Sequence, residues 1–193
     1  MTQPGSPKRR LLVLVSLLVP ILGLISLMAW ALAQSGGNPG GLRINSKLGE
    51  VSVTVGPAPG LSLQLLQGGV LDLESLKGKV VMIDFWSSWC PPCIAEAPDL
   101  AMTYRLYQGK DVEFIGVAIW DEESEVRKFV DKFNIGYPTG IDAQGKVGIA
   151  YGVRGIPEKF FVDRQGRLVS KFVGPMKSEE LKAIIDALLA QGA

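Results

Sequence analysis

The stretch VVMIDFWSSWCPPCIAEAP, residues 80–98, decides the fold. Val80 to Trp86 is a nearly continuous apolar run interrupted by one charge, Asp84, as expected of a parallel strand covered on both faces. Cys90-Pro91-Pro92-Cys93 follows directly, at the start of a helix expected from Cys90 to about Gln108. Prolines just inside a helix cost little, because the first N–H groups have no intrahelical partner. Cys90 would then sit where unpaired N–H groups and the positive end of the helix dipole favour a thiolate over a thiol. That makes Cys90 the expected nucleophile. Cys93, one turn further in and less exposed, is placed to resolve a mixed disulfide.

Two blander readings compete with redox chemistry. A zinc half-site needs two further ligands, and the chain has no histidine and no other cysteine, which leaves only carboxylates. A purely structural disulfide would close a four-residue loop and contribute only roughly 2 kcal/mol. The strand-to-helix setting therefore favours catalysis. The absence of histidine also excludes Cys-His and Ser-His-Asp systems, and haem on a histidine ligand, for this chain acting alone. Twenty Lys and Arg against nineteen Asp and Glu leave no basic footprint for nucleic acid.

Working outward, the 193 residues suit one ordinary domain. Leu61–Leu66 and Val70–Leu73, separated by Gln67-Gly68-Gly69, read as a hairpin. Beyond the cysteines, Val112–Ile119 is a second buried run, and Asp121 can cap a helix whose Val126, Phe129, Val130 and Phe133 share one face. Strand signals follow at Tyr137–Ile141 and a short helix at Lys146–Tyr151. Lys159–Val162 and Leu168–Val173 form a second hairpin, and a closing amphipathic helix begins with Ser178 as its cap. The expected fold is α/β, a mixed central sheet flanked by helices.

At the other end, Leu11–Ala33 carries no charge and would make a helix about 34 Å long, enough for a hydrocarbon core of about 30 Å. Lys8-Arg9-Arg10 before it predicts a cytoplasmic basic terminus, residues 1–10, with everything after Ala33 extracytoplasmic. The alternative is a signal peptide cleaved after Ala31-Leu32-Ala33, although signal cores usually run about 7 to 15 residues. Residues 34–55 read as a linker, glycine-rich over Gln34–Gly41, in which Val51, Val53 and Val55 alternate with polar residues as a strand would. The domain is expected over 56–193.

Asp84-Phe-Trp-Ser-Ser-Trp-Cys-Pro-Pro-Cys93, Pro98, Arg154-Gly-Ile-Pro157 and Val173-Gly174, in that order, resemble thioredoxin. The extra N-terminal hairpin, a helix-strand insertion between 121 and 141, Glu158 after Ile156-Pro157, and Glu96 after Cys93 point to the membrane-tethered TlpA/ResA/DsbE-type thiol-disulfide oxidoreductases. That group includes proteins of cytochrome c maturation. The threonine-to-cysteine motif of peroxiredoxins is absent, and copper-delivery relatives need a histidine. The resemblance implies that Pro157 is a cis-proline facing the sulfurs, with the Ile156 backbone as a short edge for substrate; an ordinary trans turn proline is the alternative. It implies that Asp84 lies beneath the resolving cysteine, where burial would raise its pKa and suit it to exchanging protons; otherwise Asp84 points to a wet sheet edge. Glu96 stands either near the thiols or exposed on its helix.

The resemblance assigns Trp89, Ile156 and Glu158 to substrate binding, and Trp86 with Trp89 to an apolar rim, while Trp120 reads as core. It further implies a single-pass membrane protein that reduces protein disulfides outside the cytoplasm, apocytochrome c among the candidates, with a polytopic membrane protein supplying thiol electrons. No cofactor beyond the Cys90–Cys93 disulfide is expected, and no metal. A disulfide-donating oxidase and a noncatalytic binding module are the rival readings.

Overall fold

A strand with no polar face has to lie inside a sheet, and β5 (Val80–Trp86) is buried along its whole length. The computed structural model describes residues 7–34 and 48–191. The first of these segments is one helix, α1 (Pro7–Gln34), whose Leu11–Ala31 portion is long and apolar enough to cross a membrane and has its side chains exposed. Most of the expected tether lies outside the described residues.

The second segment holds the sheet. β5 pairs in parallel with β6 (Val112–Ala118), which pairs in parallel with β7 (Thr139–Ile141). On its other side β5 runs antiparallel to β8 (Glu158–Val162), which continues antiparallel to β9 (Arg167–Val173). The outer side of β9 is covered by β1 (Gly49–Val51) and β2 (Gly56–Pro57). The expected linker thus supplies a strand ahead of Gly56: β9 is long enough to leave its far half open, and Gly49–Val51 fills it. The β8–β9 turn is fixed by Asp163, whose Oδ1 accepts from the N–H groups of Gln165 at 3.0 Å and Arg167 at 2.9 Å.

The N-terminal hairpin, β3 (Ser62–Gln64) with β4 (Val70–Asp72), is a separate two-stranded sheet. It docks beside β7: Leu66 N–H donates to the Thr139 carbonyl at 2.9 Å, and Leu65 bridges Gly140. Only glycine fits there. A Cβ on Gly140 would come within 2.2 Å of the Gln64 carbonyl oxygen and 2.7 Å of Leu63 Cγ.

Strand alternation divides the core in two. Val80, Met82 and Trp86 face α2 (Pro91–Tyr107), α3 (Glu123–Phe133) and α5 (Ser178–Ala190). Val81, Ile83 and Phe85 face the hairpin and α4 (Lys146–Ala150) on the opposite side. Two expected caps differ. Asp121 leaves the α3 cap to Glu122 because its carboxylate is engaged by Ser88 and by the Glu122 N–H. Ser178 lies inside α5 and joins Thr103 through a buried hydroxyl pair at 2.8 Å, while the Glu180 carboxylate accepts from Lys177 N–H at the actual cap.

Candidate active site

Cys90 is the cap residue of α2, in extended conformation, with Pro91 and Pro92 opening the helix. Its sulfur is bonded to that of Cys93, and the Cys93 N–H points at Cys90 Sγ from 3.3 Å. The helix N-terminus therefore offers a backbone donor to whatever charge develops on Cys90. In the disulfide the two cysteines are covered almost alike, 3% and 2% exposed, so position on the helix rather than accessibility distinguishes them.

The loop before Cys90 is held from one direction. Ser87 Oγ donates to the Ile119 carbonyl, Ser88 donates to the Asp121 carboxylate through both N–H and Oγ, and Trp89 Nε1 donates to the Trp120 carbonyl at 2.9 Å. Trp120 adopts φ +54°, a left-handed conformation uncommon for a bulky residue, and its side chain is 62% exposed beside an exposed Trp89. The reading of Trp120 as core is corrected: the backbone reversal after β6 turns it outward. Trp86 is corrected in the other sense. It shares strand parity with Met82, is buried, and stacks on Phe129 with ring centroids 4.4 Å apart.

On the side of the sheet whose core also holds Cys90 and Cys93 lie three buried charged side chains. Asp84 stands directly opposite Lys159 in the β5–β8 register, with Oδ1 3.5 Å from Lys159 Nζ. Glu96, one helical turn after Cys93, hydrogen-bonds Lys159 through Oε1 and accepts the Met176 N–H on Oε2 at 2.7 Å. Burial pushes both carboxyls well above the ordinary range, against the opposing attraction of Lys159. Glu96 is pushed up to about 8. The same two carboxylates stand near the buried Tyr137, whose phenol is pushed up first by burial and then by their charge. Lys159 escaped the sequence reading; the available signal was a lysine in the otherwise apolar Lys-Phe-Phe-Val run.

The Ile156–Pro157 peptide is cis, Ile156 is half-buried between the two cores, and the Pro157 carbonyl accepts from Gly174 N–H at 2.9 Å. Glu158 does not stand where substrate binding would need it. Adjacent strand residues point to opposite faces, so with Lys159 turned toward Glu96, Glu158 turns the other way and is fully buried in an ion pair with Lys171 at 2.7 Å. Its assignment to substrate is withdrawn.

A helix-capping disulfide on a mixed sheet, in a chain that also carries a cis-proline turn and two buried carboxyls, defines a thiol-disulfide oxidoreductase of the thioredoxin type. The Redoxin family model matches residues 54–189. The thiol-disulfide oxidoreductase ResA of Geobacillus thermodenitrificans is 34% identical over 140 residues, spanning 72% of this chain and 80% of that protein. A secreted disulfide oxidoreductase of Mycobacterium tuberculosis, described as homologous to E. coli DsbE, is 30% identical, with a TM-score of 0.61 over 66% of this chain and 96% of its own. A thioredoxin-family thiol:disulfide interchange protein of Chlorobium tepidum is 27% identical, with a TM-score of 0.65 over 72% and 99%. The chain belongs to the redoxin family, among the TlpA/ResA/DsbE-like members of the thioredoxin superfamily, and is a protein thiol-disulfide oxidoreductase.

Proposed function

We propose that the protein is held in the membrane by α1 with its redox domain outside the cytoplasm, and that it reduces protein disulfides there, those of apocytochrome c among them. The observation that carries the chemical part is the Cys90–Cys93 pair at the α2 N-terminus, with Glu96 one turn further along the same helix and paired through Lys159 to Asp84, both carboxyls being raised in pKa. The reduced Cys90 thiolate attacks a substrate disulfide, forming a Cys90–substrate bond and expelling one substrate thiolate. Cys93 then gives its proton to the carboxylate pair, and its sulfur attacks Cys90. The Cys90–Cys93 bond forms, the Cys90–substrate bond breaks, and the second substrate sulfur leaves with the electron pair. The substrate gains two electrons and the cysteine pair loses two.

No separate cofactor is required on this reading, so a donor must reduce the pair again; the family resemblance favours a polytopic membrane protein carrying thiol electrons. Support for the anchor is the length and apolarity of Leu11–Ala31 directly after Lys8, Arg9 and Arg10. A soluble mature product beginning at Gln34 would remove it. The substrate is tested by expressing Cys93→Ala in the native cell, resolving trapped mixed disulfides on nonreducing gels and identifying the partners by mass spectrometry. Apocytochrome c among them is the expected result. Only other partners, together with unchanged c-type cytochromes in a deletion strain, would overturn the maturation role.

A further inference from the structure

Lys159, Asp84 and Glu96 are each 3% exposed or less, and they come from three different elements, β8, β5 and α2. With every group ionised the trio would carry one uncompensated negative charge out of water, which is strongly unfavourable even after relaxation. With one proton on the carboxyl pair the trio is neutral. Among the described residues, the other groups recorded against it bring no counter-charge: the buried Tyr137 phenol, the Met176 N–H donated to Glu96, and the Gly174 carbonyl 3.4 Å from Lys159 Nζ; the Cys90–Cys93 disulfide lies in the same buried cluster as Tyr137.

We propose that Lys159 is a positioning residue that limits the Asp84–Glu96 pair to a single shared proton, so that one carboxylate stays ionised and ready to take the proton of Cys93. This rests on the reading of the pair as proton acceptor for resolution. Without the ammonium, two carboxyls buried together would both be protonated near neutrality and no base would remain. With it, the charge balance survives each step. When Cys93 passes its proton to the pair, both carboxyls are protonated and the new thiolate carries the negative charge that offsets the ammonium, so the net charge of the site is unchanged. When the Cys93 sulfur bonds to Cys90, the negative charge departs on the substrate sulfur. The pair then releases one proton, which ends on that thiolate directly or through solvent, and the resting state returns.

The test uses the full-length protein in mild detergent. Carbon-13 NMR of the parent's oxidised form should show one proton held across Asp84 and Glu96 at pH 6 and lost above neutrality. Two ionised carboxylates at pH 6 would overturn the proposal, and this measurement needs no variant to fold. In stopped-flow kinetics, Lys159→Met should move the pH midpoint of the resolving step upward by at least one unit while leaving the initial Cys90 attack within twofold, and Lys159→Arg should restore most of the shift. An unmoved midpoint in Lys159→Met overturns the role of Lys159 alone, provided Asp84→Asn and Glu96→Gln still slow resolution. If neither carboxyl variant slows resolution, the underlying reading of the acids falls, and this proposal falls with it.

Discussion

Replacing Glu96 by Gln should flatten the pH dependence of stability in the oxidised protein between pH 6 and 8. A carboxyl whose pKa is raised on folding holds its proton more tightly in the folded state, so its stabilising effect is complete below the unfolded value of about 4.3 and is lost as pH rises through the folded one. For Glu96 that upper limit is about 8, set by burial against the opposing pull of Lys159. While the folded state holds one extra proton, stability falls by about 1.4 kcal/mol per pH unit. With a urea dependence of about 2 kcal/mol per molar, the unfolding midpoint should drop by roughly 0.7 M per unit. The window is clean, because the chain has no histidine and its two cysteines are joined. In Glu96→Gln, Asp84 faces Lys159 as one anion and one cation, and the slope should fall to less than half. Urea titrations followed by tryptophan fluorescence at pH 6, 7 and 8 measure it. Parallel slopes for parent and variant, or a parent whose stability climbs with pH, would refute the charge arithmetic.

Three other outcomes are expected. Cys90→Ser should abolish the protein's acceleration of insulin reduction by dithiothreitol over the uncatalysed rate, whereas Cys93→Ser should accumulate mixed disulfides visible on nonreducing gels; equal mixed-disulfide yields from both would reassign the nucleophile. Gly140→Ala should destabilise the domain by about 1 to 3 kcal/mol, because the new methyl meets the Gln64 carbonyl and Leu63; thermal melts that do not move would mean the hairpin is not docked there. Thr103→Val should cost about 1 to 2 kcal/mol by leaving the Ser178 hydroxyl buried without its partner. The double variant with Ser178→Ala should recover part of that loss, and simple additivity of the two substitutions would count against the pairing.

What could be read from the sequence was local. The continuous apolar run of β5 and the prolines opening α2 specify their elements whatever the rest of the chain does, and the one charge in β5 marked itself as anomalous. Lys159 gave no comparable signal. A lysine at the start of a strand ordinarily reaches water, and what buries this one is its register opposite Asp84, a pairing between segments far apart in sequence. The same register turned Glu158 away from the disulfide, since adjacent strand residues cannot share a face. Trp86 was accessible to parity, being in phase with Met82. Trp120 was not, because its exposure follows from a single left-handed backbone angle after β6.

The docking of the hairpin on β7 bears on how this protein behaves in the presence of other polypeptides. An open sheet margin offers a row of unpaired N–H and C=O groups to any extended chain, including another copy of itself. Here Leu65 and Leu66 engage the β7 margin, and β1 and β2 engage the β9 margin. A protein that acts on the disulfides of other proteins is thereby spared from templating extended chains into β-aggregates along these two margins. At Gly140 that protection depends on a missing methyl group, so a substitution far from the cysteines would first be noticed as a loss of solubility rather than of redox chemistry.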